Sequence, residues 1–410
     1  MRNDTSSCRF PWISAVYFVI CCHHRNKEAA MVSLHGSTRL FAGRSSHKVG
    51  REIAGATVSS GQRPPDPQSL LNPKQLDEKA EQLADWLCTK RSIFCLSGAG
   101  LSTESGIPDY RGSKGSYHVG HKPIIHQMFM ESEYQRKRYW GRSMVGWSKF
   151  DTAEPNKGHY ALANMERMGI LGVKMEDRPD FYGELERDEF LFSSGQRQLA
   201  IVTQNVDSLH QRAGSKEVLQ IHGAGKVVRC MDCGYRMDRN EYHHILEATN
   251  RDWLEEHVPL LQNDSHQKEA ETQMRPDGDA QLSQQADYHH VHLPCCPRCQ
   301  VGFFKPDVVF FGDTVPKERV AVVQQAIEES DGILVVGSSL AVHSAYRHIR
   351  AASQRGIPVA ILNVGETRAE AEGLEGMLKI EAPIGDTLDR CVEKILEMDD
   401  VGNVGSNLSR

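Results

Sequence analysis

Gly98-Ala99-Gly100-Leu101-Ser102-Thr103-Glu104-Ser105-Gly106-Ile107-Pro108-Asp109-Tyr110-Arg111 follows directly on the apolar run Ile93-Phe94-Cys95-Leu96. A buried strand that ends in a glycine-rich turn brings bare backbone N–H groups against a pyrophosphate. Gly98 and Gly100 let the chain turn sharply with no Cβ between backbone and ligand. By itself, Gly-x-Gly after a strand is a weak sign of a dinucleotide. Thr103 stands where the usual third glycine would be, and no acidic residue ending a second strand follows at the ordinary ribose-binding distance. The loop is not that of an ordinary dehydrogenase.

Working outward from that loop, short apolar runs recur at Ser92–Leu96, Leu199–Thr203, Asp307–Phe311, Gly332–Val336 and Pro358–Leu362. Several are continuously hydrophobic, as parallel strands covered on both faces are. Helical stretches at Lys317–Glu329 and Ala341–Gln354 separate the later runs. The alternation predicts an α/β fold with a doubly wound parallel, Rossmann-like large domain built from residues 72–111, 199–225 and 305–397. Asn72-Pro73 opens its first helix as an N-cap with Pro at the first helical position, and Leu76, Ala80, Leu83 and Leu87 give that helix an apolar face. Residues 112–172, helical in pattern, and 226–304, which carry the cysteines, predict a smaller lobe inserted into the large domain. The polar stretches 173–198 and 252–285 read as solvated insertions, and 398–410 as a tail.

Cys230-x-x-Cys233 and Cys296-x-x-Cys299 supply four thiolates in two tight turns. Two such knuckles complete a tetrahedral shell for Zn²⁺, and a closed shell with no open position makes the ion structural. Cys295 competes for the metal, but only Cys296 has the two-residue spacing to Cys299. Cys88, Cys95 and Cys391 read as small buried hydrophobes. With four of eleven cysteines paired in this way, the chain suits a reducing compartment. A nucleic-acid-binding knuckle is the rival reading, yet no Lys/Arg stripe with interleaved aromatics surrounds it. A net charge of −6 also argues against binding through an overall basic field.

At 39% hydrophobic and 25% charged residues, the chain has the composition of a soluble globular protein. Trp12 to Cys22 is apolar but too short to span a bilayer, so no membrane partner is expected. From Met31, Arg39, Arg44, Lys48 and Arg51 appear with many serines and no acid before Glu52. That composition predicts a mitochondrial matrix presequence within a targeting and linker region over 1–71; a cytoplasmic or nuclear address is the alternative.

Polar strings recur after the apolar runs: Thr203-Gln204-Asn205-Val206-Asp207, Ile221-His222-Gly223, Gly337-Ser338-Ser339-Leu340 and Asn363-Val364-Gly365. Taken singly, such residues are turn and capping groups, and a lone histidine near a strand end is a structural hydrogen-bonder. Taken together with the glycine loop and the cysteine quartet, from about Pro73 to about Leu396, they resemble the sirtuins, NAD-dependent protein deacylases. Lys305-Pro306-Asp307-Val308-Val309-Phe310-Phe311-Gly312-Asp313 and the general spacing look most like the class II, mitochondrial sirtuin-4 type.

The resemblance implies that NAD is held by Gly98, Ala99, Gly100, Ser102, Thr103, Ile107, Pro108, Asp109, Tyr110, Arg111, Gln204, Asn205, Asp207, Gly337, Ser338, Ser339, Asn363, Val364, Gly365 and Ile384. It implies one structural zinc on the quartet. His222 becomes the general base, a task suited to an imidazole whose ordinary pKa lies near working pH. Asn205 orients ribose or a water, while Asp207 and Asp109 place nicotinamide. The acyl group of an acylated lysine passes to ADP-ribose, nicotinamide leaves, and no nucleic acid is involved. Val308, Phe310, Phe311 and Gly312 are expected to pass the substrate peptide, which can add as a strand.

Tyr139-Trp140-Gly141-Arg142 has the Tyr-x-x-Arg spacing of desuccinylating sirtuins. At i and i+3 of a helix the two share a face, and a guanidinium clasps a carboxylate bidentately. This predicts a preference for acidic or branched acyl chains. The rival activities are mono-ADP-ribosyl transfer to protein and non-catalytic sensing of NAD or ADP-ribose. A sensor has no use for a base.

Overall fold

Asn72 accepts a hydrogen bond from the Gln75 N–H, and the Gln75 side chain accepts one from the Asn72 N–H, each at 3.0 Å. This capping box starts α1 (Pro73–Cys88), as the Asn-Pro pair predicts. The computed structural model describes residues 71–112, 115–117, 123–175, 198–257, 274–280 and 286–400. The expected presequence, most of the 173–198 insertion, much of the 252–285 excursion and most of the tail lie outside the described residues.

The strands run β1 (Ile93–Ser97), β2 (Val173–Lys174), β3 (Gln198–Leu199), β4 (Ile201–Thr203), β5 (Val218–Gln220), β6 (Gly223–Cys230), β7 (Arg236–Asp238), β8 (Phe304–Val308), β9 (Gly332–Val336), β10 (Val359–Leu362) and β11 (Met377–Ile380). Six of them form a parallel sheet in the order β11-β10-β9-β1-β4-β5. Side chains alternate across it. Cys95, Ile201, Leu334 and Leu362 pack under α1, α4 (Lys157–Arg167) and the helix Ile384–Asp400. Phe94, Leu96, Val202, Val335 and Ile361 pack under the helices Lys317–Glu329 and His343–Gln354. Leu83 of α1 is fully buried here, a placement that contributes about 1.5–3 kcal/mol for a side chain of its size. Cys95 and Cys391 are buried as small hydrophobes, while Cys88 is half-buried.

The second lobe has its own core. Phe129 of α2 (His126–Glu131) and Tyr139, Trp140 and Met144 of α3 (Glu133–Asp151) pack on Tyr242, Leu246, Trp253, Phe304 and Phe310. Its sheet is antiparallel, in the order β7-β6-β8.

Two expectations need correction, and one strand was not anticipated. The apolar run at Asp307–Phe311 is not a strand of the parallel sheet; the strand is Phe304–Val308, on an edge of the small antiparallel sheet. Pro306 has no N–H to donate to a second neighbour, which suits an edge. The domain boundary at 305 moves accordingly. Residues 112–172 are also divided: α2 and α3 belong to the small lobe, whereas Ala161, Leu162 and Met165 of α4 join the core beneath the parallel sheet. Finally, β11 escaped the reading of apolar runs because it is a partly exposed edge strand that carries Lys379.

Candidate cofactor cleft and metal centre

Every polar string singled out above follows the carboxyl end of a parallel strand. The register pairs Ser97 with Thr203 and with Val336, Thr203 with Gln220, Val336 with Leu362, and Leu362 with Ile380. Gly98, Gln204, His222, Gly337 and Asn363 therefore emerge along one edge of the sheet, where ligands of open α/β folds bind. Two of the loops touch. Gly100 N–H donates to the Gly337 carbonyl at 2.8 Å, and a Cβ on Gly98 or Gly100 would stand 2.8 Å from that oxygen. Gly337 has φ +61°, and a Cβ there would meet Leu101 N at 2.4 Å. Only glycines allow this approach.

Ala99–Ser105 forms a 3₁₀ turn that ends at Gly106. Two residues not foreseen from sequence brace it. Asn156, the cap of α4, donates to Leu101 O at 2.7 Å and to Ser105 Oγ at 3.0 Å. Glu104 accepts from Gly385 N–H at 3.1 Å, tying the turn to the helix that begins at Ile384.

The polar side chains at this edge interlock. Asn205 Nδ2 donates to Gly98 O and to Ser102 Oγ, both at 3.1 Å, and Ser102 Oγ donates to Asp207 Oδ2 at 2.7 Å. Leu209 N–H donates to the other Asp207 oxygen at 3.0 Å. Burial raises the Asp207 pKa above the ordinary carboxylate value, in opposition to these donors. Gln204 Nε2 reaches Ser338 Oγ at 2.8 Å. The Ser339 carbonyl accepts from Arg368 N–H, and Asn363 Nδ2 donates to Val364 O. Asp109 Oδ1 accepts from Gly112 N–H at 2.8 Å. Tyr110 meets Phe311 edge-on at 5.7 Å, joining the glycine loop to the string after β8. A turn that no Cβ could occupy, lined by buried amide, hydroxyl and carboxyl groups, fits a dinucleotide.

His222 lies between β5 and β6 with its tautomer set by its partners. The Gln204 carbonyl, 3.1 Å from Nδ1, can only accept, so Nδ1 carries the proton. Nε2 is left with a free electron pair, which accepts from the Ser344 hydroxyl at 2.8 Å. Burial lowers the His222 pKa to about 4, so the ring is neutral near pH 7. Ser344 was not singled out from sequence, because nothing local marks a serine at the start of a helix as the partner of a histidine 122 positions away.

The cysteine quartet converges. The sulfurs of Cys230, Cys233, Cys296 and Cys299 lie within 4.8 Å of one another, with Cys230–Cys299 and Cys233–Cys296 at 3.7 Å. A tetrahedral shell with Zn–S of about 2.3 Å needs sulfurs about 3.8 Å apart. Gly234 (φ +73°) and Gln300 (φ +63°) make the left-handed turn that closes each knuckle. Cys295 is exposed and outside the cluster. The four residues present fit a structural zinc ion.

Residues 98–175 and 190–344 match the model of the Sir2 family. An NAD-dependent protein deacetylase of Bradyrhizobium diazoefficiens is 40% identical over 290 residues, 71% of this chain and 90% of that protein. The NAD-dependent protein deacylase Sirt4 of Drosophila melanogaster is 39% identical over 318 residues, 77% and 87% of the two chains. The chain belongs to the Sir2 family, the sirtuins. A solved Sir2 enzyme structure, 26% identical, superposes with a TM-score of 0.54 over 78% of this chain and 99% of its own. The bacterial and insect relatives match equally well, so the comparisons place the chain in the family rather than in one subtype of it.

In this sirtuin the acyl and peptide candidates stand at the junction of the lobes. Val309 N–H donates to His222 O at 2.8 Å, and Phe311 O accepts from His126 N–H at 2.8 Å. Phe310 packs on Phe129 and Tyr139, while Gly312 turns with φ +80°. Tyr139 and Arg142 do share a face of α3, but the guanidinium is already occupied. Its Nη2 lies 2.5 Å from Asp279 Oδ2, and its Nε donates to Ala280 O at 3.2 Å. Sequence reasoning treated the excursion that carries Asp279 as solvated; residues 274–280 are instead packed against the site.

Proposed function

We propose that this protein is an NAD-dependent protein lysine deacylase, which transfers the acyl group of an acylated lysine to the ADP-ribose part of NAD. The observation that supports this most directly is the unprotonated Nε2 of His222, which accepts from Ser344 at the same sheet edge as the interlocked Asn205, Ser102 and Asp207. NAD, when bound, supplies the ribose carbon that accepts the acyl oxygen and the nicotinamide that leaves. The protein's own contribution is to bind and orient. The paired glycine loops let backbone N–H groups approach phosphates, and Asn205 and Asp207 present an amide and a carboxyl at the same edge. Gln204 O fixes the proton on Nδ1, so a hydroxyl proton can be taken at Nε2 once Ser344 yields its place.

The string Lys305–Asp313 supports the class II, sirtuin-4-like assignment as part of the same proposal. Mass spectrometry of the protein incubated with NAD and a panel of acyl-peptides tests it. The expected products are free nicotinamide, deacylated peptide and acyl-ADP-ribose. ADP-ribose fixed on protein would favour the transferase reading, and NAD bound without turnover would favour the sensor.

A further inference from the structure

The string that follows β8 curls around one buried cation. Lys305 is 5% exposed, although a lysine is almost never fully buried without partners. Its ammonium donates to the carbonyls of Pro306, at 3.3 Å, and of Val308. It lies 4.3 Å from the centre of the Phe310 ring and 3.9 Å from Asp313 Oδ2. Lys305 therefore reaches the start, the middle and the end of Val308–Asp313 from inside. Burial lowers its pKa to about 8, and Asp313 and Asp307 oppose that, so the amine is charged at pH 7. The other ties of the string are made by the backbone. Val309 N–H donates to His222 O, Phe311 O accepts from His126 N–H, and Asp313 N–H closes a turn on Phe310 O at 2.9 Å. Gly312 passes through that turn in the left-handed region, with φ +80°.

We infer that Lys305 is a positioning residue for the acylated peptide: its ammonium holds Val308–Asp313 in the bent shape against which the peptide lies, acting from inside the turn rather than by touching the peptide. The inference rests on the deacylase reading and deepens it. A neutral side chain of similar length at 305 would leave two inward carbonyls and the Asp313 carboxylate without their cation. Buried groups left in that state cost more than the lost bond itself, so the string would open toward water. Lys305 makes these contacts within its own segment, whereas the glycine turn is braced by Asn156 and Glu104. The loss should therefore fall on the peptide and spare NAD.

The experiment measures fluorescence anisotropy of labelled acetyl-, butyryl- and glutaryl-lysine peptides on the full, zinc-loaded chain, and NAD affinity by calorimetry. In Lys305→Met, the peptide that the wild type holds most tightly is expected to bind at least about tenfold more weakly, with NAD affinity within about twofold of wild type. In turnover, its KM should rise by the same factor while kcat stays near wild type. Peptide affinity within about twofold of wild type overturns the inference. An equal loss of peptide and NAD affinity also overturns it, because a lysine that merely supports the fold would lower both. Where Lys305→Met fails to fold, Asp313→Asn removes the counter-charge from the far end of the string. It is expected to weaken the peptide by at least about threefold with NAD affinity unchanged, and an unchanged peptide affinity overturns the inference. Wild-type protein that binds none of the peptides, with or without NAD, removes the deacylase reading and the inference together. Peptide bound equally by the wild type and the variants removes the inference alone.

Discussion

The cofactor edge and the turn at 274–280 meet where Ile107 packs with Met274, but they are built differently. At the edge, each loop is a few consecutive residues leaving the end of a strand, held by loops one or two strands away in the same sheet, as Asn205 is on Gly98 and Gln204 on Ser338. The turn leaves no strand of that sheet and is held by side chains, as where Arg142 of α3 donates to the Ala280 carbonyl. The edge is rigid because the sheet beneath it is buried on both faces. The turn is held by buried charge, where each group depends on its partner. Chemistry common to every substrate can rest on the first kind of construction.

Three experiments would break or sharpen that contrast. The largest effect is expected at the edge: His222→Ala should lower turnover by about 10²–10⁴-fold while leaving the melting temperature and NAD affinity near wild type. A parallel collapse of NAD binding would mean the ring is structural. Next, Leu83→Ala, beneath the sheet and remote from both regions, should cost about 2–5 kcal/mol in denaturant unfolding while leaving kcat/KM of the folded enzyme near wild type. A lowered kcat/KM in the folded enzyme would show that packing beneath the sheet and the cofactor edge are coupled.

The smallest effect concerns pH. His159, His210 and His348 are buried, and burial lowers their pKa values, His159 and His348 to about 3. The unfolded chain binds more protons at these sites below about pH 6.5, so they destabilise the fold as pH falls from there toward 3. Asp277 and Asp279, raised by burial to about 7 and about 6, act in the opposite sense, because the folded state holds their protons from about pH 4 up to those values. Asp277→Asn/Asp279→Asn should therefore steepen the loss of stability between pH 6.5 and 4, by up to about 1.4 kcal/mol per pH unit for each group removed. A profile that flattened instead would contradict the buried placement of the turn.

Which parts were legible follows from the same contrast. Strands β1, β9 and β10 were read to within a residue, because a continuous apolar run bounded by glycine or proline has few other uses. β8 was misplaced because the apolar residues Val309 to Phe311 form a loop, whose Phe310 packs on Phe129 of α2 and Tyr139 of α3, while the paired strand contains Lys305 and Pro306. The quartet was legible from spacing, and the structure adds the left-handed residue closing each knuckle.

The sequence by itself determined the alternating α/β architecture, the glycine cradle and the four metal-binding thiolates, since each depends on residues close together along the chain or on a local conformation few side chains permit. Only the tertiary structure decided that Ser344 faces His222, that Asn156 braces the glycine turn, and that Arg142 is already paired. Those contacts join segments whose separation along the chain carries no signal. Their existence follows from how the sheet, α3 and the 274–280 turn pack in space.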